Sequence, residues 1–365
     1  MRKLSLVVGG GAIGCAIALR LAQRGFAPLV IERGVPGAEA SSAAAGILAP
    51  QKEAEGPGAL LDLGLRSRAL YPALVDELRA TTGVDVGYRE SGLLACGGID
   101  EEPGLIARAA WQETLGLRAR LLSLEEARRI EPALGPCTSA LLLPDEAQID
   151  PPKLVYALQL AAARAGAEFI SAEVRRICHD GQRVEGVALA GETIESPIVV
   201  VAAGAWSALV DGAALPAGAV RPVRGQMVEL AAPSELVSRI LFAPGGYLVP
   251  RSDGRIAVGS TSEEVGFRKE VTVAGLASLL ALAQRMVPAL AGAPVRRFWA
   301  GFRPATDDLL PLLGPTLIRG LHLATGHFRN GILLAPITAE AVVAAIAGER
   351  PPIDLAPFSV ARLGR

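Results

Sequence analysis

Histidine and cysteine are scarce in this sequence, which has three of the former and four of the latter among 365 residues. The cysteines, at positions 15, 96, 137 and 178, form no CxxC pair and no spacing typical of a metal site. The three histidines are dispersed along the chain as well. We therefore expect no bound metal ion, and we expect reduced thiols of the kind found in cytoplasmic proteins.

An excess of charge of either sign is also missing, because 36 Lys and Arg residues balance 37 Asp and Glu residues. Proteins that bind nucleic acids usually carry a basic surface, so no nucleic-acid partner is predicted. No uncharged apolar run reaches the roughly 18 residues that cross a bilayer. Glycines interrupt the apolar run near the N-terminus, which is atypical of a signal helix. We expect a cytoplasmic protein with neither a membrane span nor a targeting segment.

The first part of the chain has the order strand, glycine loop, helix, strand. Residues 4–8 form a short apolar run that predicts a buried strand. Residues 12–24 are rich in Ala, Leu and Ile, and Gly25 follows them, a pattern typical of a helix and its end. Residues 28–32 form a second apolar strand. This order predicts a βαβ unit of the kind that binds dinucleotides.

The motif Gly9-x-Gly11-x-x-Gly14 lies between the first strand and the helix. Gly9 allows a tight turn, Gly11 lets the backbone approach a pyrophosphate, and Gly14 lets helix and strand pack closely. The helix N-terminus, at Ala12 and Ile13, offers free N–H groups and a positive dipole end to phosphates. The motif therefore predicts dinucleotide binding, and the alternative is a glycine-rich structural turn.

The acidic residue Glu32 ends the second predicted strand. A carboxylate there accepts hydrogen bonds from ribose hydroxyls and would repel a 2′-phosphate, which favours FAD or NAD over NADP. Small side chains follow at residues 40–46, and we expect them to let an extended backbone press against a bulky cofactor. The hydroxyls of Ser41 and Ser42 are expected near its phosphates. An NAD enzyme needs no such stretch, so FAD is favoured; the alternative is a flexible loop.

Helix and strand patterns continue along the whole chain. Helices are predicted at residues 59–81, 101–115, 124–131, 151–165, 274–286 and 332–347. Strands are predicted at residues 84–95, 198–203, 227–230, 246–250, 255–259 and 320–325. The expected fold is α/β, a Rossmann-type FAD-binding domain with an inserted α+β substrate domain built on a mostly antiparallel sheet. The expected limits are 1–85, 143–220 and 300–365 for the FAD-binding domain, and 86–142 and 221–299 for the substrate domain.

Segments spread over nearly the whole chain together resemble the D-amino-acid oxidase superfamily of FAD enzymes, and within it the glycine oxidases. The segments are residues 9–14, 41–46, 203–207, 246–251, 298–304 and 326–336. The last two, FWAGFRP and GHFRNGILLAP, are the most specific of them. The resemblance implies non-covalent FAD, because no cysteine follows Arg303 where some sarcosine oxidases attach the flavin. It also implies a homo-oligomer, expected to be a tetramer.

The activity implied by the resemblance is oxidative deamination of glycine and other small amino acids, such as sarcosine and small D-amino acids. Hydride would pass from Cα to flavin N5, and oxygen would be reduced to hydrogen peroxide. The products would be an imino or keto acid and ammonia, in the thiazole branch of thiamine biosynthesis. The alternatives are a dehydrogenase that passes electrons to another acceptor, a non-catalytic FAD-binding subunit, and an NAD dehydrogenase.

The resemblance also implies roles for individual residues. Arg303 would clamp the substrate carboxylate through a bidentate pair, Tyr247 would hydrogen-bond the same carboxylate, and Arg329 would add a polar contact. The loop 326–332 would place a helix N-terminus at the N1–C2=O edge of the flavin. The backbone of Val174 would contact the adenine side. The residues expected to contact FAD are Gly9, Gly11, Ala12, Ile13, Gly14, Glu32, Arg33, Ser41, Ser42, Ala45, Gly46, Ile47, Val174, Gly204, His327, Phe328, Arg329, Asn330, Gly331 and Ile332.

Simpler interpretations exist for two of these side chains. Arg303 could belong to a structural ion pair, and Tyr247 could be a core residue of a half-buried strand. His327 is expected to act through its backbone in the flavin loop and not as a base.

Three positions depart from the pattern of characterised glycine oxidases. Gly245 stands where a histidine can occur, and Ser262 and Ile47 stand where methionine can occur. The pocket is therefore expected to differ in shape and polarity, which leaves the preferred amino acid open.

Overall fold

Nineteen strands lie in residues 3–364, the part of the chain described by this computed structural model. In chain order they are β1 Leu4–Val8, β2 Ala27–Glu32, β3 Ile47–Leu48, β4 Leu93–Gly97, β5 Arg120–Ser123, β6 Ser139–Leu143, β7 Ala147–Gln148, β8 Glu168–Ser171, β9 Arg176–His179, β10 Val184–Ala188, β11 Thr193–Glu195, β12 Val199–Val201, β13 Arg221–Ala231, β14 Ile240–Ala243, β15 Gly246–Pro250, β16 Arg255–Gly259, β17 Val295–Ala305, β18 Leu312–Pro315 and β19 Leu321–Thr325.

Helices connect and cover these strands. The α-helices are α1 Ala12–Gln23, α2 Ala40–Ala43, α3 Pro50–Glu53, α4 Ala59–Thr82, α5 Glu102–Thr114, α6 Leu124–Ile130, α7 Pro151–Arg164, α8 Val273–Met286 and α9 Gly331–Ala347. Short 3-10 turns lie at Gly204–Leu209, Pro288–Gly292, Phe328–Asn330, Ala356–Phe358 and Val360–Gly364.

A six-stranded sheet in the order β18-β19-β12-β1-β2-β8 holds β1 inside it. Its neighbours run parallel, except that β18 is antiparallel to β19. Val7 of β1 packs into a core with α1, α4, α7 and α9. Leu6 and Val8 point to the opposite face, into a second core shared with the three-stranded sheet β11-β10-β9. Because both faces are covered, β1 is apolar at every buried position except Ser5.

The second large sheet has eight strands in the order β17-β13-β16-β15-β14-β4-β6-β5. Its neighbours are antiparallel, except that β14 runs parallel to β4. Val228 of β13 faces a core that includes α8, whereas Met227 faces the other side. The combination of a largely parallel sheet and a mostly antiparallel sheet confirms the predicted α/β class.

The domain limits inferred from the sequence stay a prediction. Strand β17 runs from Val295 to Ala305 and so crosses the limit placed at residue 300. Strand β6, Ser139–Leu143, likewise crosses the limit at residue 143.

The strand predicted at residues 84–95 is wrong over residues 84–92 and overlaps a strand only at residues 93–95. Only Leu93–Gly97 is a strand in this region. Gly87 and Gly92 have φ angles of +65° and +67°, which extended strands do not adopt, and they turn the chain before β4 begins. Residues 40–46 also differ from the predicted extended segment, because Ala40–Ala43 forms one helical turn. Here the amide of Ser42 donates to the carbonyl of Gly37.

One segment is apolar enough and long enough to cross a membrane by composition. Phe328–Ala347 has a mean hydropathy of 1.7, although 72% of its most apolar window is buried inside the protein. Arg329 and Glu340 interrupt this segment, so it contains no uncharged apolar run of about 18 residues. Burial of this extent is what the core helix of a globular protein shows, so the segment is weak evidence for a span.

Candidate cofactor and substrate site

A cavity of about 1010 Å³ lies where the two large sheets meet. Its lining includes Val8, Glu32 and Thr325, at the carboxyl ends of β1, β2 and β19, together with Ala202 just beyond β12. Met227 of the eight-stranded sheet lines the opposite side. The carboxyl ends of parallel strands are where ligands bind in open α/β sheets. The cavity is large enough for a ligand of cofactor size.

The glycine loop forms one end of this cavity, and two of its residues tolerate no side chain. Gly9 has a φ angle of +107°, and a Cβ atom there would lie 2.5 Å from the carbonyl oxygen of Ala202. A Cβ atom on Gly14 would collide with the carbonyl oxygen of Gly9. Gly9 and Gly11 line the cavity, whereas Gly14 does not and acts by close packing beneath the loop. The turn therefore exposes main chain and not side chains to the cavity.

The carboxylate of Glu32 braces the same turn from the end of β2. Its Oε2 accepts a hydrogen bond from the Gly10 amide at 2.8 Å, and its Oε1 accepts one from the Gly34 amide at 2.9 Å. The side chain still lines the cavity, as does Arg33 beside it. The Arg33 guanidinium lies 4.0 Å from the centroid of the Trp206 ring. This end of the cavity thus offers the Glu32 carboxylate and a flat aromatic surface.

The two predicted serines behave differently. The Oγ of Ser41 lines the cavity and accepts a hydrogen bond from the Ala12 amide at 3.0 Å, so it caps the start of α1. Ser42 lies in the helical turn α2 and does not line the cavity. The prediction that its hydroxyl contacts a phosphate is corrected accordingly. The remaining predicted cofactor contacts on the cavity wall are Ala12, Ile13, Ala45, Gly46, Ile47, Val174 and Gly204.

Arg303 extends from β17 into the other end of the cavity. Its guanidinium donates to the carbonyl of Thr261 at 3.1 Å and to the hydroxyl of Ser260. Within residues 3–364 no carboxylate oxygen lies within 4.0 Å of it, which argues against a structural ion pair. Burial lowers the pKa of Arg303, and the charge of Arg329 acts in the same direction. A cation that is withdrawn from water without an anion is costly, so this site favours an anionic ligand.

Tyr247 lies beside that guanidinium. Its hydroxyl is 3.2 Å from the Oγ of Ser260, the same atom that accepts from Arg303, and 3.6 Å from the sulfur of Met227. The register of the sheet brings this about, because Tyr247 on β15 pairs with Gly259 on β16, and Gly259 pairs with Met227 on β13. The hydroxyl and the guanidinium therefore converge on one point of the cavity.

The loop after β19 closes the site. Gly326 and Phe328 have φ angles of +74° and +48°, and the chain then enters α9 at Gly331 with no side-chain cap. Uncapped first-turn amides carry the positive end of the helix dipole. All predicted contacts of this loop, from His327 to Ile332, line the cavity.

His327 is buried within the loop. Its Nε2 lies 3.1 Å from the hydroxyl of Thr338, and burial lowers its pKa to about 3. The imidazole is therefore neutral at physiological pH and a weak base. This agrees with the expectation that the loop acts through its backbone.

Several cavity residues carry no local sequence signal and were missed. Lys52, Phe242 and Arg285 line the substrate end. They come from three separate parts of the chain and belong to no recognised motif. Gly245 and Ser262 line the same end, as predicted.

Residues 5–345 match the model of the family described as DAO, FAD dependent oxidoreductase. The chain belongs to this family. FAD is therefore its cofactor, and the DAO match covers both sheets and the cavity between them.

Individual relatives agree with the DAO assignment. The chain is 38% identical to a glycine oxidase of Geobacillus kaustophilus over 98% of this chain and 96% of that protein. The crystal structure of glycine oxidase from Geobacillus kaustophilus superposes with a TM-score of 0.94 at 38% identity, covering 98% of both chains. The chain is also 38% identical to the bifunctional protein ThiO/ThiG of Trichormus variabilis over 99% of this chain, which spans 55% of that protein.

The residues of this DAO-family cavity fit FAD. The exposed backbone at Gly9 and Gly11 and the positive end of the α1 dipole suit a pyrophosphate, although the Ala12 amide, predicted to be free, already donates to Ser41. Glu32 suits ribose hydroxyls, and Trp206 with Arg33 offers a flat surface at that end. At the other end the uncapped first turn of α9 suits an electron-rich ring edge.

Proposed function

We propose that this protein is an FAD-dependent amino-acid oxidase that acts on glycine and other small amino acids, including sarcosine and small D-amino acids. The observation that carries the proposal is Arg303, a guanidinium on the cavity wall with no carboxylate partner in residues 3–364 and with the Tyr247 hydroxyl at its side. An α-carboxylate matches the donor fork of an arginine. The glycine oxidase relatives, which are named for the oxidation of glycine, support the same substrate class.

Each side chain has a defined task in this proposal. Arg303 and Tyr247 bind the carboxylate and so fix the direction of the Cα–H bond, while Arg329 adds positive charge at the same end. Bound FAD would supply the two-electron oxidation as a hydride acceptor, and oxygen would take up the electrons to give hydrogen peroxide. The imino acid that leaves the site hydrolyses to a keto acid and ammonia.

Orientation, rather than a strong base, accounts for the rate in this proposal. His327 is neutral, with a pKa of about 3, and it already contacts Thr338, so it is poorly suited to remove a proton. Holding a substrate in a reactive geometry can by itself lower the barrier by ~7–11 kcal/mol. The amine must arrive neutral so that it can donate electrons to Cα.

We also propose a role in the thiazole branch of thiamine biosynthesis, in the cytoplasm and as a homo-oligomer, with a tetramer as the expected state. The match to half of a ThiO/ThiG protein supports the pathway. The imine product is reactive, so a second protein that uses it directly for thiazole synthesis would fit its chemistry.

The test is a visible spectrum of the purified protein, followed by a peroxide-coupled assay with glycine, sarcosine, D-alanine, D-proline and L-amino acids. Flavin absorbance together with peroxide from glycine is the expected result. A yellow protein that substrate bleaches without releasing peroxide would instead be a dehydrogenase. A colourless protein that takes up no FAD would contradict the proposal as a whole.

A further inference from the structure

The substrate end of the cavity contains a cation that the proposed reaction does not use. Lys52 lies in α3, is half-buried, and lines the cavity that contains Arg303. Its ammonium lies 4.8 Å from the centroid of the Phe242 ring. In residues 3–364 no carboxylate oxygen lies within the 4.0 Å of an ion pair with it. The ammonium is thus held by an aromatic face and has no anion of its own.

Lys52 and Arg303 are held by different neighbours. The Lys52 ammonium lies over the Phe242 ring, whose centroid is 5.2 Å from that of Tyr247. The Tyr247 hydroxyl in turn meets Ser260, which binds the guanidinium of Arg303. Each cation therefore has its own position in the cavity, and the rings of Phe242 and Tyr247 link the two positions.

The turn that carries Lys52 is fixed by a buried polar network. The amide of Gln51 donates to the Glu146 carboxylate at 2.8 Å. The Gln51 side chain donates to Gln112 at 2.9 Å, and Arg108 donates to the Gln51 carbonyl at 2.9 Å. A lysine on such a braced turn is positioned and not merely mobile, which is the condition for a specific binding contact.

The local charges favour the arrival of an anion. Burial lowers the pKa of Lys52; the charges of Glu53 and Glu55 oppose this shift, while those of Arg108 and Arg329 add to it. An anion beside the ammonium would stabilise its charged form and would offset the repulsion from the two arginines.

We infer that Lys52 binds a second acidic group of the substrate, so that this cavity accepts amino acids with a carboxylate in addition to the one on Arg303. The second carboxylate can be carried by an N-substituent or by a side chain. This inference rests on the proposed function, because Arg303 must hold the first carboxylate.

The experiment uses the FAD-loaded enzyme and two matched substrate pairs, sarcosine with iminodiacetate and D-alanine with D-aspartate. The members of each pair differ by one carboxylate, on nitrogen in the first pair and on the side chain in the second. The variants are Lys52→Met and Lys52→Arg. Lys153→Met, at an exposed site on α7, controls for the loss of one positive charge.

We expect Lys52→Met to lower the ratio of kcat/KM for iminodiacetate over sarcosine by about tenfold, the size of one charge-assisted hydrogen bond. Lys52→Arg should restore the ratio, Lys153→Met should not change it, and added salt should raise KM for iminodiacetate more than for sarcosine. A lower ratio of kcat/KM for D-aspartate over D-alanine in Lys52→Met would place the second carboxylate on the side chain instead.

Two results would overturn the inference while leaving the proposed function intact. One is an equal loss for both members of each pair in Lys52→Met, which is the result of a structural role. The other is good turnover of sarcosine with no binding of iminodiacetate or D-aspartate. If glycine and sarcosine are not oxidised at all, the proposed function fails. The inference is then decided by the Kd of iminodiacetate, measured by titrating the flavin absorbance of the wild type and of Lys52→Met. Equal Kd values in the two proteins would overturn it.

Discussion

The hydroxyl of Tyr71 donates a hydrogen bond to the main-chain carbonyl of Ile332 in the first turn of α9. In an uninterrupted helix this carbonyl would accept from the amide of residue 336, but Pro336 has no N–H. Tyr71 therefore replaces the missing donor. Ser67, one turn earlier on α4, donates to the next carbonyl, that of Leu333, at 2.6 Å. Helix α4 thus holds in place the helix N-terminus that faces the flavin end of the cavity.

We expect Tyr71→Phe to lower the free energy of unfolding by about 1–3 kcal/mol, because the Ile332 carbonyl would be left buried and without a donor. FAD affinity should fall as well, since Ile332 lines the cavity. Thermal and urea unfolding with and without FAD would measure both effects. Tyr156→Phe, at a residue that is 59% exposed, is the control. Equal stability of the two variants would show that water or a shift of α9 replaces the hydroxyl.

Arg303→Ala should raise KM for glycine roughly 100-fold, the loss of about 3 kcal/mol expected for a charge-assisted hydrogen-bonded contact. FAD should stay bound, because Arg303 lies at the substrate end. Steady-state kinetics with a flavin absorbance spectrum would test this. Arg296→Ala, on the exposed part of the same strand, should behave as wild type. An unchanged KM in Arg303→Ala would remove Arg303 from substrate binding.

Glu32→Ala should weaken FAD binding about 10- to 100-fold, because it removes the ribose acceptor and also frees the amides of Gly10 and Gly34. Added FAD should restore activity, since the substrate end is untouched. The measurement is a fluorescence titration of the apoprotein with FAD. Glu39→Ala serves as the control, because Glu39 lines the cavity but pairs with Lys269. Equal FAD affinity in the two variants would contradict the role given to Glu32.

The buried carboxyl of Glu146 predicts a pH effect on stability. Burial raises its pKa to about 7, although Arg68 and the amide of Gln51 act in the opposite direction. The folded chain therefore holds this proton more tightly than the unfolded chain. The stability that it contributes is complete below the unfolded pKa of about 4.5 and is lost as pH rises through 7.

Glu146→Gln removes this titration. Between pH 5 and pH 7.5 the free energy of unfolding should fall by about 2 kcal/mol more in wild type than in the variant. Urea unfolding at several pH values would give the slope of the free energy of unfolding against pH for each protein. The difference between the two slopes does not depend on any constant loss of stability from the broken Arg68 contact. Parallel curves for the two proteins would show that Glu146 does not titrate in this range.

The local parts of the fold could be predicted from sequence, because their causes are local. Strand β1, the glycine turn and α1 follow from an apolar run, three glycines and a helical pattern within residues 4–24. The strand predicted at 84–95 failed because Gly87 and Gly92 have positive φ angles, which an alternating pattern does not reveal. Helix α2 was missed because a helix of one turn is stabilised by its tertiary contacts and not by a local sequence pattern.

The site could be predicted only as far as its motifs extend. Arg303, Tyr247 and the loop after β19 lie in segments that resemble known enzymes. Lys52 and Phe242 are 190 positions apart, and only the tertiary fold brings the Lys52 ammonium to 4.8 Å from the centroid of the Phe242 ring. The state of Glu146 depends on burial by tertiary contacts, which one sequence does not disclose.

The strand order of the first sheet has a consequence for how the protein is made. Strand β1 is synthesised before β12, its partner on one side, and β12 is synthesised before β19 at Leu321–Thr325, which lies next to β12 in the sheet. The glycine turn after β1 therefore leaves the ribosome well before the loop after β19, which forms another part of the cavity wall. A nascent chain can enclose its cofactor only after this loop has been made, and a truncation that removes α9 leaves the apolar faces of α1 and α4 without their cover.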